Sequence, residues 1–151
     1  MKRRVPLAKK GKSEAALLKE DIQAMVRAIV IKRDGGCILN SIWALGGYPQ
    51  CNGRKNNGDL ILQADHLVER SNSATYADTR LIVCVCKGHH GWKHFKKSNH
   101  DAYNALVRQI LPPDRIALWE KAEQQSWKPH KMNWKLELAA LKQELAAYEK
   151  A

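Results

Sequence analysis

The sequence predicts an α+β fold: two short strands and a helix built around metal-ligand side chains, with further helices before and after. Three observations carry this. Two short apolar runs, residues 60–62 and 81–85, each end in polar side chains, the first at Asp65-His66 and the second at Cys86, His89 and His90. Asp65, His66, Cys86, His89 and His90 fall within 26 positions, a density for which a buried core has little use. The flanking segments carry apolar residues at helical spacings of three and four.

The 151 residues suffice for one domain with a modest core, and 44% apolar content is ordinary for a globular chain. A net charge of +11 is not ordinary, and such a surplus draws polyanions, nucleic acid above all. No run approaches the ~18 apolar residues of a membrane span. The opening M-K-R-R-V-P-L-A-K-K-G-K has no apolar segment of a secretory signal, so residues 1–12 read as a flexible basic arm and the chain as cytoplasmic. In that setting four cysteines beside histidines read as metal ligands rather than disulfides.

Residues 13–33 form the first predicted helix, capped by Ser13, with Leu18, Ile22, Met25 and Ile29 on one stripe and Asp34-Gly35-Gly36 ending it. A partly apolar insert separates Cys37 from Cys51, and the polar loop N-G-R-K-N-N-G follows. Residues 59–64 and 81–85 are the two strands, joined by a connection too long for a tight turn. Residues 91–111 read as one helix, with Phe95, Tyr103, Leu106, Val107 and Ile110 inward and Lys93, Lys96 and Lys97 outward. Pro112-Pro113 ends it, and Asp114 caps a short helix over residues 115–125. After a linker at Trp127-Lys128-Pro129, residues 133–149 form the last helix. Its stripe of Trp134, Leu138, Leu141, Leu145 and Tyr148 suits packing on another helix, in this chain or in a second copy as a homodimer. The organisation is thus a basic arm (1–12), a metal-bearing domain with its leading helix (13–111) and a helical C-terminal extension (112–151).

Zinc takes four N or S ligands in a tetrahedron. Cys86 and His89 have the two-residue spacer of a zinc knuckle, and Cys37 with Cys51 supply a second pair across an unusually long 13-residue spacer. A loop can lengthen at small entropic cost. Cys84 is the competing ligand, able to replace His89 in a four-cysteine set; otherwise it is a small buried hydrophobe. The second group suits a catalytic divalent ion: Asp65 offers an oxygen and His90 a nitrogen, while His66 remains as a general base. Histidine favours softer ions, so Mn²⁺ or Ni²⁺ serves as well as Mg²⁺.

At Asp65-His66-Leu67-Val68-Glu69-Arg70 and Cys86-Lys87-Gly88-His89-His90 the chain resembles the HNH (His-Me finger, ββα-metal) endonucleases. The resemblance covers roughly residues 37–97. It implies a ββα-metal finger with His66 as general base, Asp65 and His90 on the catalytic metal, Cys37, Cys51, Cys86 and His89 on zinc, and Arg70 near phosphate. It also implies hydrolysis of DNA to 5′-phosphate and 3′-hydroxyl ends, with Lys93, His94, Lys96 and Lys97 on the helix that faces DNA. Two positions depart from the pattern. His89 stands for the usual second cysteine, and Leu81 stands where the family has a bracing asparagine, for which Thr79 and Asn72 are the nearby substitutes. The leading helix and helical tail are more weakly similar to phage recombination nucleases of the NinG/Rap type, and more distantly to the phage junction resolvase endonuclease VII. That implies a phage or prophage protein, in a bacterial host cytoplasm, acting on branched DNA. A zinc-stabilised DNA-binding module without catalysis, and an assembly protein using its helical arms, are the competing classes.

Overall fold

The computed structural model describes residues 11–69, 74–125 and 132–151. Residues 1–10 of the basic arm, Arg70, Asn72 and the linker at Trp127-Lys128-Pro129 lie outside the described residues. Among those described, the chain is α+β, with five α-helices and one two-stranded antiparallel sheet.

Helix α1 spans Glu14–Asp34. Ser13 caps it, its Oγ accepting the Ala16 N–H at 3.2 Å, and Glu14 in the first turn and Lys32 and Arg33 in the last suit the helix dipole. Gly35 ends it at φ 71, a left-handed conformation that costs glycine little. The buried face is Ile22, Val26, Ile29 and Val30, with Leu18 and Met25 only partly covered. It is displaced from the expected stripe because α1 packs on the sheet and on the last helix together.

Strand β1 is Leu62–His66 and strand β2 is Ile82–Cys86, paired from Leu62↔Cys86 to His66↔Ile82. Both run later than expected. Leu60 instead bridges Arg54, and Ile61 donates its N–H to the Gly53 carbonyl, closing the 53–60 loop. All five residues of β2 are buried, because the sheet lies between two cores. Val83 and Val85 face one, with Leu39, Tyr103, Val107 and Trp119; Ile82 and Cys84 face the other, with Ile22, Val26, Leu138 and Leu141.

Helix α2 (Lys87–Phe95) follows β2 directly. The single helix expected over residues 91–111 is two: α3 spans Lys97–Ile110, and Lys96 between them is extended at φ −155, ψ 159. This break changes the phase of the apolar stripe. Phe95, expected inward, is 81% exposed, and Ile110 is 44% exposed, while Tyr103, Leu106 and Val107 are buried as expected. Helix α4 spans Pro113–Gln124, with Pro113 at its first position and Asp114 inside its first turn rather than capping it. Helix α5 spans Trp134–Lys150, capped by Asn133 Oδ1 on the Leu136 N–H at 3.2 Å. Its expected stripe packs on α1 within the same chain. No helix among the described residues is long and apolar enough to cross a membrane.

Candidate metal centre and active site

Two clusters of ligand-type side chains flank the junction of β2 and α2. In the first, one ligand atom from each of Cys37, Cys51, Cys86 and His89 lies within 4.8 Å of the others. Sulfur-to-Nδ1 distances are 3.4 Å for Cys37, 3.7 Å for Cys51 and 3.2 Å for Cys86. A tetrahedron with Zn–S near 2.3 Å and Zn–N near 2.1 Å has edges of roughly 3.5 Å, so the set fits a zinc-sized ion.

Local structure explains the convergence. Cys86 is the N-cap of α2, its Sγ accepting the His89 N–H at 3.3 Å, so one turn of helix brings His89 back over it. Cys37 is placed by the Ile38 N–H, which donates to the Cys84 carbonyl at 3.0 Å. Cys51 arrives on a loop whose Asn52 carbonyl accepts the Gly88 N–H at 3.1 Å. Gly88 lies inside α2, and a Cβ there would fall 2.0 Å from Asn52 Oδ1. A side chain at position 88 would displace the Asn52 amide, which lies over Gly88 from the loop that carries Cys51.

His89 is fully buried, and its Nε2 lies 2.8 Å from the Pro49 carbonyl. A carbonyl only accepts, so Nε2 carries the proton and Nδ1 presents its lone pair to the sulfurs. Burial pushes the Cys37 thiol up, and burial followed by the neighbouring Cys86 charge does the same to Cys51. A cation bound among them would have to displace those protons, as zinc does when it takes thiolate ligands. Cys84 stays outside the cluster: its side chain packs in the α1–α5 core, and its N–H donates to Asp34 Oδ2 at 2.8 Å. Burial, then the nearby Asp34 carboxylate, raises its thiol to about 11.

The second cluster is Asp65, His90 and His94, again with ligand atoms within 4.8 Å of one another. Asp65 sits near the end of β1 and is 3% exposed. Its Oδ1 lies 3.3 Å from His90 Nε2. His90 Nδ1 lies 2.6 Å from Gln63 Oε1 and donates to it, which turns the Nε2 lone pair toward Asp65 Oδ1. Two acceptors facing each other need a proton or a cation between them, and 3.3 Å suits adjacent ligands on an ion with bonds of ~2.1 Å. His94, one turn after His90, approaches it with ring centroids 4.9 Å apart. Burial opposes ionisation of Asp65, but its hydrogen-bond partners, Lys93 and Tyr103 among them, outweigh it and lower its carboxyl from the usual carboxylate range.

His66 follows on β1. Its Nε2 lies 3.0 Å from the Tyr76 carbonyl, which only accepts, so that nitrogen carries a proton. Tyr76 also lies against the ring, at 5.8 Å between centroids. It is itself held by Gln23 of α1, 2.5 Å from its hydroxyl, and by the edge of Trp134 of α5. Asp65, His66, His90, Lys93, His94 and His100 line one cavity of about 490 Å³.

Expectations for three residues change here. Lys93 does not lie on a wet helix face: it is 4% exposed and donates to Asp65 Oδ2 at 2.8 Å. Thr79 does not replace the bracing asparagine, because its hydroxyl donates to Glu144 of α5 at 2.7 Å. Leu81 is buried, yet its carbonyl accepts the Leu67 N–H at 2.9 Å and ties the two ends of the connection together. His94, expected at DNA, joins the ligand cluster, whereas Lys96 and Lys97 are exposed as expected. Sequence reasoning missed Gln63, Tyr76 and Tyr103. Only Gln63 had a signal, being two residues before Asp65 and so on the same strand face.

No protein-family model, curated protein or solved structure matches this chain.

Proposed function

We propose that the chain is a metal-dependent endonuclease of the HNH (His-Me finger, ββα-metal) type that hydrolyses DNA phosphodiester bonds. The observation that carries this reading is one juxtaposition. His66, its ring oriented by the Tyr76 carbonyl, lines the same cavity as the Asp65, His90 and His94 ligand set. The order β1, β2, α2 and the Cys37, Cys51, Cys86 and His89 cluster at its base support the same type.

In this mechanism Asp65, His90 and His94 would hold a divalent ion such as Mg²⁺, Mn²⁺ or Ni²⁺. Such an ion, when bound, polarises the scissile phosphate and stabilises the leaving 3′ oxygen. His66 Nδ1 takes a proton from the attacking water, and the Tyr76 carbonyl stabilises the imidazolium that results. Exposed Lys96 and Lys97 hold backbone phosphates beside the cavity, in keeping with the net charge of +11. Cys37, Cys51, Cys86 and His89 would hold zinc, which fixes the base of α2 and takes no part in the chemistry.

The weaker similarity to phage recombination nucleases extends the proposal to branched DNA. The deciding experiment is cleavage of supercoiled, linear, flapped and four-way DNA with each divalent ion in turn, by the parent and by His66→Ala. Ion-dependent cutting that His66→Ala lacks supports the enzyme. Binding without cutting by the parent favours the DNA-binding module, the class to which buried Leu81 in the asparagine position points.

A further inference from the structure

We propose that Lys93 and Tyr103 position Asp65 as a one-oxygen ligand, by occupying its Oδ2 and leaving only Oδ1 to the cavity. The proposal rests on the reading of Asp65, His90 and His94 as a divalent-ion site. Lys93 Nζ lies 2.8 Å and the Tyr103 hydroxyl 2.5 Å from the same oxygen, Oδ2. His90 faces the other oxygen. The three residues come from three elements, β1, α2 and α3, and are 3%, 4% and 0% exposed. The Lys93 ammonium also lies 4.7 Å from the Tyr103 ring centroid, so the two donors fix each other.

Stability alone does not account for this arrangement. A buried ion pair carries a desolvation penalty that often cancels its attraction, and apolar residues of similar volume would pack as well. Orientation is a use that apolar residues cannot supply. A carboxylate can meet a divalent ion with one oxygen or both, and can rotate between the two. Two donors on Oδ2 remove that freedom and aim Oδ1 at His90. The clamp also gives α3, which lies outside the β1–β2–α2 unit, a role in the site.

The test is Mn²⁺ binding by the intact, zinc-loaded chain, read by titration calorimetry without DNA, with zinc content and thermal melting as controls for folding. Tyr103→Phe keeps the ring and removes one donor. Lys93→Met and Lys93→Gln lose the same charge, but only the glutamine keeps a donor. Tyr103→Phe and Lys93→Met are expected to weaken Mn²⁺ binding about tenfold, and Lys93→Gln to stay close to the parent. If charge were the whole effect, Met and Gln would both tighten binding. Equal affinities for Met and Gln, or an unchanged Tyr103→Phe, overturn the clamp. Failure of the parent to take up Mn²⁺, or uptake by Asp65→Ala equal to the parent's, overturns the divalent-ion site itself, and the clamp with it.

Discussion

The Nε2 of His89 lies 2.8 Å from the carbonyl oxygen of Pro49, and that bond decides which ring nitrogen meets the three cysteines. Pro49 belongs to the long insert between Cys37 and Cys51. The insert is thus more than a spacer: it orients the fourth ligand.

The first prediction concerns that cluster. The purified chain should carry about one zinc, as one tetrahedral site requires. Cys37→Ser, Cys51→Ser and Cys86→Ser should each lose the metal and melt at lower temperature, whereas Cys84→Ser should keep it. Elemental analysis and thermal melting check this. A folded, metal-free parent, or zinc loss in Cys84→Ser, would contradict the assignment.

His66 and the ligand cluster should fail differently. His66→Ala should lower nicking of supercoiled DNA by about 10²- to 10⁴-fold, the usual worth of a general base, with DNA affinity and zinc content near the parent's. Asp65→Ala, His90→Ala and His94→Ala should also stop nicking, but by weakening the divalent site, so added Mn²⁺ should restore part of the rate. Undiminished cutting by His66→Ala would place any nuclease activity elsewhere.

The lysines around the break between α2 and α3 should separate by burial. Lys96→Ala and Lys97→Ala should each lower the slope of log affinity against log salt by about one, as expected for one lost phosphate contact. Lys93→Ala should leave that slope unchanged and lower stability instead, because it strips a buried carboxylate of its partner. Binding titrations over a range of salt distinguish them; a Lys93→Ala slope change matching that of Lys96→Ala would return Lys93 to the DNA face.

Helix α5 should act on stability within one chain. Leu141 is 3% exposed against α1, so Leu141→Ala should cost about 2–5 kcal/mol by urea unfolding. The same change should leave the mass by light scattering as in the parent. A dimer that dissociates on this substitution would show that the helix pairs copies after all.

Much of the organisation was legible in the sequence because local rules set it. Ser13 and the Asp34-Gly35-Gly36 break bound α1, residues 133–149 mark α5 to within a residue, and the two-residue spacer pairs Cys86 with His89. His94 could have been read as a ligand in the same way, since residues four apart share a helix face. The tertiary structure decided the rest. Whether Lys93 faces water or Asp65 depends on where α3 delivers Tyr103, and that depends on the extended backbone at Lys96. Whether the α5 stripe meets a second copy or α1 depends on the chain folding back across the sheet. Periodicity states which side of a helix is apolar; it carries no information on what covers that side. The same holds for Cys84 and Cys86, two positions apart on one strand. One is buried in the α1–α5 core, and the other lies among the zinc-type ligands, because Cys86 is both the last residue of β2 and the N-cap of α2.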